Sequence, residues 1–342
     1  MQVADKYNHT SFEISVVIPT CNRKGRLLSL LDNLNESAYA TSEVIVVDSS
    51  DDNMEPGTFD PFKNLNILYI RSEKSVCLQR NLGIQQAISP WIFLCDDDIE
   101  VPKDYLKKLI SHIKAYPKVG ALSGIVLERF QNEWQSGYPI SSAFELVWKF
   151  IFQLGLWGEI TSPSNNILIK RIKTYYLKKG NHISKAGWPV ITDFSGDYFI
   201  SPVYGLGASL IRKSWLIHSP YDEVLDKHGI GDNYGVALGF PSIGIHILNN
   251  AFVYHHQEPE NRLQKPLQYL RRTIALDYFT STKKHLSHVK KSWLVWSLWG
   301  NVLAFLRSKD LVMAKAALKS VWLVSAKKNI YLKQLAVRKE IR

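Results

Sequence analysis

The chain has 342 residues, 46% hydrophobic and 21% charged, a globular composition that excludes a disordered polymer and allows one large or two medium domains. Its formal charge of +11 is unevenly placed: residues 262–342 hold 18 Lys and Arg against 3 Asp and Glu, whereas the first 261 hold 24 against 28, a balance of −4. The basicity therefore says little about the ligand of the main body. In the tail it is either a solvated basic face or a surface for an anionic membrane or nucleic acid.

The first hundred residues alternate between two periods. Ile14-Ser15-Val16-Val17-Ile18 is a β-branched run ended by Pro19, a strand, after which Leu27, Leu30, Leu31 and Leu34 recur at helical spacing. A second strand, Val44 to Val47, runs into Asp48-Ser49-Ser50-Asp51-Asp52, and a third, Ile67 to Ile70, ends at Arg71. A helix over Ser75 to Ala87 leads to a fourth strand, Trp91 to Cys95, which drives into Asp96-Asp97-Asp98. Pro102 then opens a helix striped by Leu106, Leu109, Ile110 and Ile113. Such alternation predicts an α/β fold, a mostly parallel sheet with helices on both faces. Ser141 to Trp157 is dense in large apolar residues and reads as packing. Ser162 to Ser201 is irregular and rich in Gly, Asn and Ser, and reads as loops over a site. Tyr204 to Arg212 reads as a Gly-bent strand, and Ala251 to Tyr254 as a last strand that delivers His255-His256.

Ligands of such sheets sit outside the carboxyl ends of the strands, where the polar residues collect here. Three adjacent carboxylates repel one another, and a hard divalent cation is the simplest compensation; a solvated acidic turn is the structural alternative. No Walker loop or Gly-x-Gly-x-x-Gly follows the first strand, which argues against a P-loop NTPase or a dinucleotide fold. Three Cys (Cys21, Cys77, Cys95) without pairing or ligand spacing suit a reduced, cytoplasmic setting. The polar stretch Met1 to Ser11 has no signal-peptide core, and no apolar run reaches the roughly 20 residues that span a bilayer, so a processive synthase with its own export channel is not expected.

Val17-Ile18-Pro19-Thr20-Cys21-Asn22-Arg23, Val46 to Asp52, Gln79-Arg80-Asn81-Leu82-Gly83 and Phe93 to Asp98, in this order, resemble the inverting family-2 glycosyltransferases with a GT-A fold. The resemblance implies a Rossmann-like, mostly parallel GT-A sheet in a catalytic domain over 1–261, its nucleotide-sugar half at 12–130 and its acceptor half at 131–261. It implies a nucleoside-diphosphate sugar donor in a pocket of Pro19, Thr20, Asn22 and Arg23, with Asp48 at the base edge and Arg80 and Asn81 near base and phosphates. Asp96 would lie at the ribose or metal shell. Asp97 would ligate Mn2+ or Mg2+, and His255, with His256 as the alternative, would complete that metal or diphosphate site. Cys95 stands where the family's first Asp is expected, and a thiol is a poor ligand for these ions. The family's base opens a helix below the acceptor cleft; Asp232 takes that position, ahead of Asp222, Glu223 and Asp197, with Asn233 in place of a second acid.

The tail, 262–342, is expected to be a helical extension: Pro266 to His285, Trp293 to Arg307 and Val312 to Val324 each combine Trp or Leu with flanking Lys and Arg. Interfacial helices share this design, so the extension would sit on the cytoplasmic face of a membrane, beside a polysaccharide or lipid-linked glycan acceptor, or pack as a hairpin on protein. Two competitors remain. A sugar-nucleotide-binding protein without catalysis is favoured by Cys95 and Asn233. A nucleotidyltransferase would carry a Gly-rich basic phosphate loop, where Thr20 to Gly25 offers only Gly25. Nucleic acid is not an expected partner, since the tail shows no recognised module.

Overall fold

Strands buried on both faces read as unbroken apolar runs, and β1 (Ile14–Thr20) has every residue buried. Its side chains alternate between two cores. Val17 joins one with Ile45 and Val47, and Val16 and Ile18 join the other with Leu27, Leu30 and Leu31. The computed structural model describes residues 12–340 except 131, 226, 242–243 and 258–262, and no side chains of 338–340. The polar stretch Met1 to Ser11 and the expected boundary at 261/262 lie outside the described residues.

From β1 the chain passes through α1 (Lys24–Asn35) to β2 (Glu43–Asp48) and β3 (Ile67–Arg71), then through α2 (Val76–Gln86) to β4 (Trp91–Cys95). After α3 (Tyr105–Ala115) comes a long central strand, β5 (Ala121–Phe130), for which the sequence gives no clear signal. Next are α4 (Ala143–Ile151) and α5 (Ile167–Lys179), β6 (Tyr198–Ser201), β7 (Ala208–Arg212), α6 (Lys213–His218), α7 (Asp232–Ala237) and β8 (Ile245–His255). The main sheet runs β6-β8-β5-β7-β4-β1-β2-β3. The β4-β1-β2-β3 half is parallel, as is β5 with β8, while β7 enters antiparallel between β4 and β5. The strand order reverses at β1, flanked by β2 and β4, so the crevice between their carboxyl ends is the natural ligand site.

One expectation is corrected. The stretch read as loops from Ser162 to Ser201 contains α5, whose Asn166 side chain caps Leu168 N and whose buried face is Ile169, Ile172 and Tyr176. Ile167 and Leu168 are exposed on the other faces, so apolar residues on every side blur the period.

The tail forms α8 (Lys265–Thr282), a 3-10 turn (Lys284–Leu286), α9 (Lys291–Arg307), α10 (Leu311–Ser325) and α11 (Ile330–Glu340). α8 places Leu270, Ile274, Ala275, Tyr278 and Phe279 in the same apolar cluster as Val17 and Ile45. Its buried polar residues tie it to the later helices. Thr273 Oγ1 donates to Ser320 Oγ at 2.8 Å. Asp277 pairs with Lys291 at 3.1 Å and accepts from Asn329 Nδ2 at 2.9 Å. Among the described residues no helix is long and apolar enough to cross a membrane.

Candidate active site

The register aligns the strand ends: Thr20 lies beside Asp48, and Asp48 beside Arg71. The Asp48 carboxylate is fully buried and fully used. Oδ1 accepts from Ser50 N at 2.7 Å and Ser50 Oγ at 2.5 Å, and Oδ2 from the Tyr69 hydroxyl and Arg71, both at 2.8 Å. Asn22 sits in the left-handed region (φ 56), which Asn tolerates, and its amide binds Asp51 through Nδ2 and Oδ1, fastening the loop after β1 to the loop after β2. Gln79 of α2 completes this edge by donating to Thr20 O and Val47 O, each at 2.8 Å.

The three carboxylates after β4 divide among two arginines and a histidine. Asp97 accepts from Thr20 Oγ1 at 2.7 Å and from Arg23 at 3.0 Å. Arg23 also reaches Asp98 at 3.2 Å, so one guanidinium from the start of α1 bridges both acids. Burial raises the Asp97 carboxyl to about 6, against the lowering pull of Arg23 and Thr20. Asp98 is 4% exposed and receives His255 Nε2 at 3.3 Å, while His255 Nδ1 lies 3.3 Å from Glu128 on β5. Burial disfavours the imidazolium, but hydrogen bonds to Asp98 and Glu128 prevail and raise its pKa to about 9. His256 turns instead to Glu100, at 2.9 Å.

Asp96 belongs to a second bridge. Arg80 of α2 holds Asp96 at 2.5 Å with one nitrogen and Asp232, the first residue of α7, with the other. The same guanidinium stands 5.1 Å from the Tyr221 ring centre. Asp232 is buried, which raises its carboxyl to about 6 although Arg80 and the Asn233 amide pull it down. Gly207, just before β7, is required by close approach: a Cβ there would lie 2.1 Å from Asp96 Oδ2.

Pro19, Thr20, Arg23, Arg80, Asp96, Asp97, Asp98 and His255 thus line one cleft of about 340 Å³. Asp232 is joined to it through Arg80. Asn81 is not brought there. Its amide pins the backbone of Tyr221 and reaches Glu223, facing a separate cavity. Asn22 and Asp48 shape the cleft's edge through the loops they hold. Glu128 is a member that sequence reasoning missed, and Asp98 enters that reasoning only as one of three adjacent carboxylates. Nothing in three identical Asp ranks them, and Glu128 meets His255 only through the β5–β8 register.

The carboxylate oxygens of Asp97 and Asp98 suit Mn2+ or Mg2+, and His255 would join them only as neutral imidazole, after giving up the proton that Asp98 and Glu128 hold on it. Among the described residues, however, no three His, Cys, Asp or Glu side chains are arranged to hold a metal ion. The Arg23 guanidinium bridges the two acids instead, and a bound cation would have to take over those contacts.

Residues 15–171 match the model of glycosyl transferase family 2. A 130-residue stretch is 26% identical to an uncharacterized glycosyltransferase, YwdF, of Bacillus subtilis, covering 38% of this chain and 48% of the relative. Over 106 residues the chain is 32% identical to the amylovoran biosynthesis glycosyltransferase AmsB of Erwinia amylovora, covering 29% of this chain and 35% of the relative. The chain thus spans less than half the length of these curated relatives. In fold it is similar to S. aureus TarS 1–349, with a TM-score of 0.50 at 15% identity over 91% of this chain and 80% of that one. Residues 15–171 are thus similar to glycosyl transferase family 2, and the fold of the whole chain is similar to the GT-A fold of TarS.

Proposed function

We propose that the chain transfers a sugar, with inversion, from a nucleoside-diphosphate sugar to a hydroxyl of a polysaccharide or lipid-linked glycan acceptor. The observation that carries this reading is the Arg80 bridge, which ties Asp96 of the donor cleft to Asp232 of the half expected to hold the acceptor. In this reading the donor's nucleotide lies along Pro19, Thr20, Asn22, Arg23 and Asp48, and its diphosphate faces Arg23 and Arg80. With a carboxyl at about 6, Asp232 is mostly ionised at neutral pH and suited to accept the acceptor's proton. The acceptor oxygen bonds to the anomeric carbon as the bond to the diphosphate oxygen breaks. The proton goes to Asp232, and the nucleoside diphosphate leaves with the electron pair. Arg23 and Arg80 are the chain's own cations for the charge that develops on the leaving group. A divalent cation at Asp97, with Asp98 and His255 beside it, would add charge neutralisation when bound. The similarity to the amylovoran biosynthesis glycosyltransferase of Erwinia amylovora supports a polysaccharide product, and the basic helices support work on the cytoplasmic face of a membrane.

A panel of nucleoside diphosphates and their sugars, scanned by thermal shift with and without Mn2+, tests the reading. One nucleotide should raise the Tm, more with metal present, and Asp97→Ala should abolish both the shift and transfer. Lack of any shift across the panel would sink it. Binding without turnover would instead favour the second reading, a binding protein that has lost catalysis, for which Cys95 and Asn233 speak.

A further inference from the structure

The donor cleft does not end at Asp96 and His255. These two residues also line a second cavity, of about 460 Å³, whose other walls include Glu128, Gln135, Ser136 and Asn233. That cavity shares Tyr138, Trp157, Tyr204, Gly205, Asn233 and Arg272 with a third, of about 540 Å³. The third is walled mainly by apolar and aromatic side chains, among them Trp157, Trp188, Tyr204, Tyr234, Leu276 and Phe279. Its volume falls within the range of about 300–1,000 Å³ usual for small-molecule sites. An antechamber of mixed character, where Glu128, Gln135, Ser136 and Asn233 face Ile99, Val126 and Trp157, thus separates Asp96 and His255 from an aromatic recess.

Arg272 stands at the threshold between the two. It shares a stripe of α8 with Ala275, Leu276 and Phe279, at helical spacings of three, four and seven, and all four line the recess. Arg272 is exposed and lines both cavities, and desolvation there lowers its pKa. Among the described residues its guanidinium makes no hydrogen bond or ion pair. The charge acting on it is Glu128, whose carboxylate is already met by His255. A second cation, Lys149, also lines the recess. A cationic threshold on an aromatic cavity is complementary to an anion attached to an apolar body.

We infer that these two cavities are the acceptor's berth, and that the acceptor is a phosphate-linked lipid. Its phosphate pairs with Arg272, its apolar chain lies in the aromatic recess, and its sugar occupies the antechamber beside Asn233, whose backbone N–H donates to the Asp232 base. This rests on the glycosyl-transfer reading above and assigns its acceptor class and site, which lie largely in the extension and the loops around Trp157 and Trp188.

Gly205 offers a clean test, because it lines both cavities and a Cβ there meets no atom within 4 Å. Gly205→Leu should therefore fill the recess without disturbing the fold. The full chain is titrated calorimetrically with farnesyl phosphate below its micellar concentration, with farnesol and with inorganic phosphate. Farnesyl phosphate should bind at least about tenfold more tightly than either of the others; Arg272→Gln should cost it about tenfold while sparing farnesol, and Gly205→Leu should weaken both lipids. Both variants should keep the wild-type Tm and the affinity for the nucleoside diphosphate. Inorganic phosphate binding as tightly as farnesyl phosphate, or unchanged farnesyl phosphate binding in both variants, would overturn the assignment. Nucleotide binding that persists in that case leaves the donor-site reading standing, whereas its absence in the wild type counts against that reading instead.

Discussion

Arg80 carries two carboxylates that are far apart in sequence, and the geometry leaves each dependent on it. Asp232 is caught between burial, which raises its carboxyl, and Arg80, which lowers it; the balance is about 6. Removing the guanidinium, as in Arg80→Met, would leave a buried acid unpaired and is expected to cost about 3–5 kcal/mol of stability. Arg80→Lys keeps the charge but not the fork, so one ammonium cannot serve Asp96 and Asp232 together. The weaker pull lets the Asp232 carboxyl rise above its wild-type value. A base must be ionised to act, so activity is lost as pH falls through its pKa, and a higher pKa moves that loss to higher pH. The acid limb of the kcat/KM profile of Arg80→Lys should therefore shift upward from near 6, with the alkaline side little changed. An acid limb that stays in place would remove Asp232 from the role of base.

At the scale of elements, the site depends on how closely the start of β7 approaches the end of β4. Asp96 N donates to Gly207 O at 2.8 Å, and the Asp96 carboxylate occupies the space a Cβ on Gly207 would need. Gly207→Ala should push Asp96 out of the Arg80 bridge. With Asp96 serving the donor, nucleotide affinity should fall about tenfold, the worth of one charge-assisted hydrogen bond. Gly205→Ala, two residues away in open space, is the control and should bind as wild type. Equal affinities in the two variants would detach Asp96 from the donor. Much of this edge was legible beforehand. Fully buried parallel strands announce themselves as apolar runs, and the residues that end them, Thr20, Asp48 and Asp96 to Asp98, share one edge by topology alone. β5 was hidden because Ala121, Ser123 and Gly124 dilute its signature; Gly124 is held tight against Tyr105 and Ala251 by packing that no local pattern records. The sorting of Asp96, Asp97 and Asp98 among Arg80, Arg23 and His255 depends on side chains arriving from α1, α2 and β8, and such meetings leave no local trace.

Taken whole, the molecule divides its charge between a slightly acidic body and a strongly basic set of helices, and it divides its exposed apolar surface in a related way. α9 and α10 pack on each other through Leu294, Leu298, Val302, Ala317 and Val324, yet Trp296, Trp299, Leu303, Leu306, Leu311 and Trp322 remain exposed, Trp322 at 52%. α4 continues this patch. The Ile151 carbonyl accepts from the Trp296 indole at 2.9 Å, the Phe152 ring stacks on it at 4.8 Å, and Arg307 lies 3.9 Å from the centre of the exposed Phe144 ring. Aromatic and aliphatic side chains bordered by Arg307, Lys309, Lys315 and Lys319 have the composition of a surface that lies in the headgroup layer. Each Lys or Arg near an anionic leaflet contributes about 1 kcal/mol, and screening shortens that attraction to about 10 Å at 0.1 M salt. The full chain should therefore sediment with vesicles containing anionic phospholipid at low ionic strength and leave them as salt is raised, while vesicles of zwitterionic lipid retain little. Trp299→Glu with Trp322→Glu places two carboxylates on the exposed face without touching the packed one, so vesicle binding should drop sharply while the Tm holds. A wild-type chain that stays in the supernatant at low salt would make the patch a contact for protein instead.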